Sequence, residues 1–329
     1  MVTLRDKNIL ITGGTGSLGR SLVNYLVKNQ KCKKIIVLSR DEHKQFKMRL
    51  EYPQENFPQL EFHIADIRDY ERLNQLFKNV DVIFHLAALK HVHTSEQNPL
   101  ECIKTNIIGS ENVIRAAINQ KVNKVVALSS DKAVSPHNIY GATKFCADKL
   151  FVYAQKETQD TIFSVLRLGN VVYSRGSVFE IFQQQKSKSV LYVSHAQATR
   201  FIVTMEQSIN WLLFALENSR GGEIYVPRLR SFKVSHLAKV IAPSARICVT
   251  GLKIGEKLHE QLITETDSYT TAEFSNYFVI YPDHASLKKS KGSPLPFGYV
   301  YISSNKRILL NLEQLRKIIK SQKFNLESL

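Results

Sequence analysis

The feature that most constrains the fold is the glycine-rich segment GGTGSLG at residues 13–19. It follows an apolar segment, residues 7–12, that we predict as a β-strand, and it precedes apolar residues with helical spacing. Gly13, Gly16 and Gly19 have the spacing of a tight strand-to-helix turn, which lets a pyrophosphate approach the backbone and the positive end of the helix dipole. The sequence therefore predicts a dinucleotide-binding unit. The alternative is a structural glycine turn without a ligand.

The second predicted strand, residues 34–39, carries the signal for cofactor choice. It ends with Ser39 and Arg40 at the place where an acidic residue would bind the ribose of NAD. A hydroxyl and a guanidinium suit the extra phosphate of NADP, which a carboxylate would repel. The sequence thus favours NADP. In the alternative, Arg40 is surface charge and Asp41 or Glu42 holds a ribose.

Two further strands are predicted before residue 90. The first alternates apolar residues from Leu60 into Asp66, whose carboxylate could meet the adenine amino group. The second spans residues 81–88 and ends with Ala87 and Ala88, which are small enough for the backbone to pass close to a cofactor ribose. Strands that alternate with helical segments predict an α/β fold with a Rossmann-like doubly wound parallel sheet.

Asn106 lies in the middle of a predicted helix. Asparagine is a poor helix former, so its presence there calls for a reason. Local capping is one reason. A water-linked role beside Lys144 is the sharper alternative.

Tyr140 and Lys144 lie at the start of a predicted helix that follows the apolar strand at residues 124–128. The carboxyl end of such a strand is where an open α/β sheet places its ligand crevice. Four residues apart, the two side chains share one helix face, and the lysine is expected to lower the pKa of the phenol. A tyrosine tuned in this way can take a proton from a sugar hydroxyl. Without this position, an ordinary exposed helix pair would be the better interpretation.

Asp131 and Lys132 precede the tyrosine in a predicted loop. An acid and a base side by side suit an elimination reaction. We expect partial burial and nearby positive charge to lower the pKa of Lys132, so that its neutral amine can act as the base. In the alternative, the two residues form only a loop salt bridge.

Composition limits the class of protein. The chain has 329 residues with 43% hydrophobic content, enough for a main domain at residues 1–169 and a smaller, mainly substrate-binding domain at residues 170–329. The four cysteines lie far apart, so neither a metal site nor a disulfide framework is expected. We interpret the net charge of +16 as a solvated surface and expect no nucleic-acid partner, because the lysines are scattered.

The start of the chain leads straight into the first strand without a signal-peptide segment, and no apolar run approaches membrane-spanning length. We therefore expect a cytoplasmic protein without a membrane partner. Residues 281–298 are rich in helix-breaking residues and lysines and are predicted as a mobile connector before a last helix at residues 312–319.

These motifs, taken together, resemble the extended short-chain dehydrogenase/reductase family. More narrowly, six segments resemble its inverting UDP-N-acetylglucosamine 4,6-dehydratases: SRDE at 39–42, ALKH at 88–91, ECIKTNI at 101–107, SDK at 130–132, RGSV at 175–178 and GEKLHE at 255–260. The resemblance implies that Asp131 is the acid, Lys132 the base and Tyr140 the redox base, while Lys144 holds the nicotinamide ribose. It also implies a homo-oligomer, either a dimer or an assembly of dimers.

The resemblance further implies two sets of binding residues. The expected NADP-binding residues are Gly13, Thr15, Gly16, Ser17, Leu18, Gly19, Ser39, Arg40, Asp41, Lys44, Asp66, Ile67, Ala87, Ala88, Asn106, Tyr140, Lys144 and Val171. The expected residues for a UDP-sugar substrate are Lys90, Ser130, Asn170, Arg200, Lys253 and Glu256.

The chain departs from the family pattern in a few places. His93 stands where proline is usual, Tyr173 where glycine is usual, and Lys253 where arginine is usual. Two alternatives to a dehydratase therefore stay open. A related epimerase or reductase would keep Tyr140 and Lys144 without needing an adjacent acid and base. A catalytically silent NADP-binding protein is expected if Tyr173 and His93 fill the substrate cleft.

Overall fold

A ten-stranded sheet forms the centre of the protein in the computed structural model, which describes residues 4–323. The strands are β1 (Asn8–Thr12), β2 (Lys34–Ser39), β3 (Leu60–Ile64), β4 (Val82–His85), β5 (Lys124–Ser130), β6 (Ile162–Leu168), β7 (Asn170–Val171), β8 (Val190–Val193), β9 (Thr199–Val203), β10 (Glu223–Pro227), β11 (Arg230–Lys233), β12 (Arg246–Val249), β13 (Gln261–Ile263), β14 (Thr271–Glu273), β15 (Tyr277–Ile280), β16 (Ser293–Pro294) and β17 (Tyr301–Ile302).

Helices connect most of these strands. They are α1 (Ser17–Asn29), α2 (Glu42–Glu51), α3 (Tyr70–Leu76), α4 (Val92–Gln97), α5 (Pro99–Ile103), α6 (Gly109–Asn119), α7 (Ile139–Ala154), α8 (Val178–Gln184), α9 (Met205–Asn218), α10 (Val234–Ile241), α11 (Glu265–Ser268), α12 (His284–Lys288) and α13 (Leu312–Lys323). A π-helical turn, Lys104–Ile108, joins α5 to α6, and a single 3₁₀ turn, Asp131–Ala133, follows β5.

Seven strands of the sheet are parallel, in the order β3-β2-β1-β4-β5-β6-β10. The central strands are apolar along most of their length because helices cover both faces, with α7 and α9 both packed on β5 and β6. The strand order reverses between β1 and β4, which places a crevice at the carboxyl ends of these two strands. The predicted Rossmann-like doubly wound fold is confirmed.

The carboxyl-terminal half of the chain contributes to this sheet as well. Strand β10 extends its parallel part, and β15, β14 and β16 add an antiparallel edge. Three small sheets, β11-β9-β7, β12-β8 and β13-β17, lie outside it. The first two of these sheets contribute to a second hydrophobic core that includes Phe179, Phe232 and Leu237. Leu262 and Ile263 of β13 and Tyr301 of β17 belong instead to the core of the large sheet. The two halves of the chain therefore interleave, and the domain division at residue 169 stays a prediction.

Some boundaries differ from the predicted ones. The segment at residues 281–298, predicted as a mobile connector, contains α12 and β16, and β16 pairs with β14. The side chain of Asp283 caps α12 by accepting a hydrogen bond from the Ser286 N–H. The many helix-breaking residues obscured this local signal, so the prediction of a connector without regular structure was wrong.

Residues 1–3 and the predicted domain limits at residues 1 and 329 lie outside the described residues. Within residues 4–323, no helix is both long and apolar enough to cross a lipid bilayer.

Candidate active site

A cavity of about 560 Å³ opens at the carboxyl ends of the parallel strands. It brings together most of the predicted residues. Those that line it are Gly13, Thr15, Gly16, Ser17, Leu18, Gly19, Ser39, Arg40, Asp41, Lys44, Asp66, Ile67, Ala87, Ala88, Lys90, Ser130, Lys132, Tyr140, Asn170 and Val171.

The glycine-rich turn forms one wall of the cavity. A Cβ on Gly13 would lie 2.8 Å from the backbone of Ala87, and a Cβ on Gly19 would lie 2.5 Å from the carbonyl oxygen of Gly13. Both positions therefore require glycine. Gly16 precedes helix α1, and no side chain caps the first N–H groups of that helix. These free N–H groups at the mouth of the cavity suit a pyrophosphate.

The end of β2 forms the second wall. The hydroxyls of Ser39 and Thr15 are hydrogen-bonded at 2.8 Å. Arg40 is exposed, and its guanidinium lies 3.8 Å from the carboxylate of Asp66, which Arg68 holds more closely at 2.6 Å. Arg40 therefore has its donors available for an anion in the cavity.

Asp41 has a local structural role. Its side chain caps helix α2 by accepting a hydrogen bond from the Lys44 N–H at 3.0 Å, and it also pairs with the Lys44 amine. These contacts hold the pKa of Asp41 below its usual value. A carboxylate engaged in this way is less suited to hold a ribose, which weakens the alternative to Arg40.

Asn106 contributes indirectly, which corrects its predicted contact with the cofactor. It lies in the π-helical turn, where its side chain accepts a hydrogen bond from the Leu89 N–H at 2.8 Å and donates to the Leu89 carbonyl at 2.9 Å. It also donates to the hydroxyl of Thr143. None of these bonds caps a helix, which excludes the capping explanation, and the water-linked role beside Lys144 stays a prediction. Asn106 fixes Leu89, which lines the cavity.

Tyr140 lies in the first turn of α7, facing the cavity, and is almost fully buried. Burial raises the pKa of Tyr140 to about 12, while the charge of Lys132 and the hydroxyl of Ser130 oppose the rise. The predicted lowering of the Tyr140 pKa by Lys144 was wrong, because the net effect is a rise and Lys144 is not among its causes. The amine of Lys144 donates instead to the Leu128 carbonyl at 2.7 Å, behind the cavity wall.

A buried ion-pair chain that the sequence did not reveal lies next to Lys144. Asp148, one turn further along α7, accepts a hydrogen bond from Ser129 at 2.8 Å and lies 3.5 Å from the guanidinium of Arg167. Arg167 also lies 3.1 Å from Asp267 of α11. Burial lowers the pKa of Lys144, and the charge of Asp148 opposes that effect. Asp148, the first member of this ion-pair chain, thus provides a buried negative charge that stabilises the ammonium of Lys144.

Asp131 and Lys132 occupy the 3₁₀ turn directly after β5. The Lys132 amine donates to Asp131 Oδ1 at 2.9 Å, and the hydroxyl of Ser130 lies 3.0 Å from the same oxygen. Asp131 is fully buried behind the cavity wall, and its Oδ2 has no hydrogen-bond partner among the described residues. Burial raises the pKa of Asp131, which favours the protonated acid that an elimination needs.

The predicted lowering of the Lys132 pKa was wrong. Burial acts in that direction, but the nearby carboxylates of Asp131 and Glu260 outweigh it and raise the pKa of Lys132. Glu260 Oε1 lies 3.7 Å from the Lys132 amine. The sequence did not identify Glu260 as a site residue because 128 positions separate it from Lys132. Its only signal was its place in the GEKLHE segment.

Three predicted substrate residues do not line the cavity. Arg200, which is buried, and Glu256, which is half-buried, form an ion pair at 2.7 Å, so the two side chains are engaged with each other in this arrangement. Lys253 lies on an exposed loop, where its N–H donates to Glu256. The predicted contact of these residues with the nucleotide is therefore not supported by their geometry.

Tyr173 and His93 also lie away from the described cavity lining. Tyr173 adopts a left-handed backbone conformation with φ of 55°, where glycine would be unstrained, and its ring packs edge-on against Phe179 in the second core. His93 is exposed. Neither side chain fills the cleft.

A segment that sequence reasoning did not assign to the site closes the cavity over the glycine-rich turn. The Arg175 N–H donates to the hydroxyl of Ser17 at 3.0 Å, and its guanidinium reaches the Thr15 carbonyl at 3.4 Å. A side chain at Gly176 would collide with the imidazole of His91. Close packing therefore holds this segment beside the proposed phosphate site.

The residues present fit a nicotinamide dinucleotide. The uncapped start of α1 and the exposed Arg40 supply donors for phosphates. Thr105 Oγ1 and Asn170 Oδ1 are buried polar atoms of lining residues without a hydrogen-bond partner among the described residues. Such unpaired groups are expected where a bound ligand completes the hydrogen bonding.

Comparison with known proteins gives consistent matches. The model of a family described as polysaccharide biosynthesis protein matches residues 9–282. The chain is 42% identical over 327 residues to a Campylobacter jejuni protein named UDP-N-acetylglucosamine 4,6-dehydratase (inverting), with 95% of this chain and 97% of that protein covered. It is 37% identical over 329 residues to a Rickettsia bellii protein named UDP-glucose 4-epimerase, with 95% of each chain covered.

A solved structure agrees along the whole length. The X-ray structure of Pen from Bacillus thuringiensis superposes with a TM-score of 0.90 at 35% identity, covering 98% of this chain and 99% of that one. The fold, the family match and the relatives confirm the resemblance that the sequence motifs indicated. The chain belongs to the polysaccharide biosynthesis protein family, within the extended short-chain dehydrogenases/reductases.

Proposed function

We propose that the protein is an NADP-dependent UDP-N-acetylglucosamine 4,6-dehydratase that inverts C5. Its product is a 4-keto-6-deoxy sugar nucleotide for surface polysaccharide or glycan synthesis. The observation that carries the proposal is the Asp131–Lys132 pair, joined at 2.9 Å beside Tyr140 at the cavity. The name of the Campylobacter jejuni relative supports the same reaction. The proposal includes a homo-oligomer, a dimer or an assembly of dimers, as the family resemblance implies, and a cytoplasmic location, as expected from the sequence.

The order of the steps follows from the acidity of the sugar. The C5 proton is too weakly acidic to leave while C4 carries a hydroxyl, so oxidation at C4 comes first. A bound NADP, held by the start of α1 and by Arg40, would supply the hydride acceptor for C4 and the hydride donor for C6. Tyr140 is a neutral phenol in the free enzyme, so it must first release its phenolic proton to solvent, a step that the Lys132 ammonium and the Ser130 hydroxyl favour. Its phenolate then takes the C4 hydroxyl proton, and the resulting ketone makes the C5 proton acidic.

The raised pKa of Lys132 requires a route to its neutral amine. We propose that the Lys132 ammonium passes its proton to Asp131 Oδ1, at 2.9 Å, once substrate excludes water from the pair. This single transfer produces both an amine base and a carboxylic acid. Lys132 then removes the C5 proton while Asp131 protonates the departing C6 hydroxyl. Reprotonation of C5 from the other face inverts that centre.

A related epimerase is the second candidate, because a Rickettsia bellii relative carries that name. An epimerase uses Tyr140 and has no need of a buried acid joined to an amine. The fully buried Asp131, with one oxygen unpaired among the described residues, favours the dehydratase. A catalytically silent protein is disfavoured because Tyr173 and His93 lie outside the described cavity lining.

Incubation with UDP-N-acetylglucosamine and NADP, followed by mass spectrometry, tests the proposed function. We expect a product that has lost one water. A product of unchanged mass but changed stereochemistry at C4 would support the epimerase instead. No change in either property, with NADP bound, would support a silent protein.

A further inference from the structure

Glu260 is the centre of a buried charge cluster beside the Asp131–Lys132 pair. Its carboxylate lies 3.7 Å from the Lys132 amine, 3.7 Å from the Lys257 amine and 3.8 Å from the Arg200 guanidinium. The side chain of Glu260 is only 4% exposed. A carboxylate removed from water in this way needs the surrounding cations to stay ionised.

Each of these cations has a closer partner than Glu260. Lys132 donates to Asp131 at 2.9 Å, Arg200 lies 2.7 Å from Glu256, and Lys257 donates to the Val134 carbonyl. Glu260 Oε2 has no hydrogen-bond partner among the described residues. Glu260 therefore acts on its neighbours through its charge rather than through one short ion pair.

The backbone holds this charge in place. The Glu260 N–H donates to the hydroxyl of Ser303 at 2.9 Å, and the Ser303 N–H donates back to the Glu260 carbonyl at 2.8 Å. The same hydroxyl of Ser303 is hydrogen-bonded to Thr199, the residue before Arg200 on β9. These hydrogen bonds fix Glu260 relative to β9.

We propose that Glu260 is a positioning residue whose negative charge sets the protonation of the Asp131–Lys132 pair. The proposal rests on the function proposed above and deepens it. A fixed negative charge holds a proton on the pair and stabilises the ammonium of Lys132, so the free enzyme keeps the one proton that the elimination moves from Lys132 to Asp131. The directions of the pKa values agree, since those of Asp131 and Lys132 are raised.

Several charged or titratable groups face Glu260. Asp131 and Lys132 come from the 3₁₀ turn, and Arg200 comes from β9. Lys257 lies in the same segment as Glu260, and Glu256 acts on Glu260 through Arg200. His259 also belongs to this segment, and its imidazole is hydrogen-bonded to the hydroxyl of Thr199 at 2.8 Å. Replacing Glu260 with glutamine removes one negative charge from this set without changing the shape of the side chain.

The test is the pH dependence of kcat for dehydration of UDP-N-acetylglucosamine. Loss of a negative charge lowers the pKa of both Asp131 and Lys132, so both limbs of the profile move to lower pH. For Glu260→Gln we expect a shift of about one pH unit with KM changed by less than about threefold. Glu260→Asp keeps the charge and should restore most of the wild-type profile.

A matched control is Glu223→Gln, which removes the charge of another buried glutamate. Glu223 lies at the start of β10, where it accepts hydrogen bonds from the N–H groups of Arg220 and Gly221. We expect the pH dependence of kcat for Glu223→Gln to match that of wild type. A Glu260→Gln enzyme that folds, dehydrates the substrate and keeps the wild-type profile would overturn the role of Glu260 while leaving the proposed function intact.

A second measurement distinguishes a failure of the proposed role of Glu260 from a failure of the proposed function. The Asp131 carboxyl carbon can be titrated by ¹³C NMR in wild type and in Glu260→Gln without any turnover. We expect its apparent pKa to fall by about one unit in the variant. If the wild-type enzyme does not dehydrate the substrate, the proposed function is wrong. If the apparent pKa of Asp131 is the same in wild type and in Glu260→Gln, the proposed role of Glu260 is wrong as well.

Discussion

At the scale of a single side chain, Arg40 is the residue to which we assign the proposed preference for NADP. Its guanidinium is 53% exposed and lies 3.8 Å from Asp66, whose carboxylate Arg68 already holds at 2.6 Å. A guanidinium without a short ion pair can bind the 2′-phosphate of NADP bidentately. The uncharged ribose hydroxyl of NAD forms a weaker interaction with the Arg40 guanidinium.

We predict that NADP binds more tightly than NAD and that Arg40→Ala narrows the difference. Hydrogen bonds to a charged group contribute about 1.5–3 kcal/mol, so roughly ten- to a hundredfold of the preference should disappear. Titration of both cofactors against wild type and variant measures it. Lys47→Ala, which removes an exposed cation from helix α2, is the control and should keep the preference. Equal affinities in wild type would contradict the role of Arg40.

His85 links residue chemistry to stability. The imidazole is fully buried, with Nδ1 at 2.8 Å from the hydroxyl of Thr12 and Nε2 at 3.3 Å from that of Ser110. The hydroxyl of Thr12 also accepts the N–H groups of Leu86 and Ala87. It therefore donates to Nδ1, which makes His85 a neutral imidazole with its proton on Nε2.

We predict that His85 makes the fold less stable as the pH falls. Burial lowers the pKa of His85 to about 3, so below the ordinary value of 6.5 only the unfolded chain takes up this proton. Between pH 7 and about pH 4.5 this costs on the order of 2–3 kcal/mol. Urea unfolding across that range should show a shallower loss for His85→Gln than for wild type. Parallel curves for the two proteins would contradict the prediction.

Helix α7 positions the catalytic turn at the scale of the element. Its first turn is capped by Asn138, whose side chain accepts a hydrogen bond from the Gly141 N–H at 2.8 Å. The helix packs directly on the 3₁₀ turn, and a Cβ on Gly141 would collide with the carbonyl oxygen of Lys132. The absence of a side chain at Gly141 therefore allows Lys132 and Tyr140 to lie next to each other.

We predict that Gly141→Ala lowers kcat more than it weakens NADP binding. The added methyl must push the 3₁₀ turn away, and a displacement of about 1 Å can reduce turnover by roughly a hundredfold. Stability should fall by about 1–3 kcal/mol. Gly292→Ala is the control, because the nearest atoms to its Cβ belong to the side chains of Phe274 and Ala272, which do not line the cavity. Equal kcat for Gly141→Ala and wild type would contradict the positioning role.

Elements with strong local signals could be predicted from the sequence. The apolar run before Gly13 and the helical spacing after it located β1 and α1, and residues 34–39 matched β2. The π-helical turn at Lys104–Ile108 could not be predicted, because it depends on the pairing of Asn106 with Leu89. The poor helix propensity of asparagine correctly indicated that Asn106 has a specific role, but the explanations offered for it did not include its hydrogen bonds to Leu89.

At the scale of the whole molecule, the charge cluster depends on contacts between distant parts of the chain. Lys132 follows β5, Arg200 lies on β9, and Glu260 precedes β13. Local patterns identified Asp131 and Lys132 as an acid and a base but gave no indication that Glu260 would raise the pKa of Lys132. The family resemblance implied that Arg200 binds substrate, whereas Glu256 pairs with it. Tertiary packing decides both points.

The central claim is that Lys132 and Asp131 carry out the elimination. In Lys132→Ala, Asp131 can take up a proton, so the loss of the cation leaves no uncompensated charge in the buried turn. Folding and NADP binding should therefore be nearly unchanged, which thermal unfolding and cofactor titration check. Lys149→Ala, an exposed change on α7, is the control for the loss of a lysine.

The most direct measurement follows wild type and Lys132→Ala with UDP-N-acetylglucosamine and NADP in deuterium oxide, by mass spectrometry and NMR. Wild type and the Lys149→Ala control should release one water and place solvent deuterium at C5. Lys132→Ala should do neither while it still binds NADP. A Lys132→Ala enzyme that eliminates water at a rate close to that of wild type would contradict the assignment.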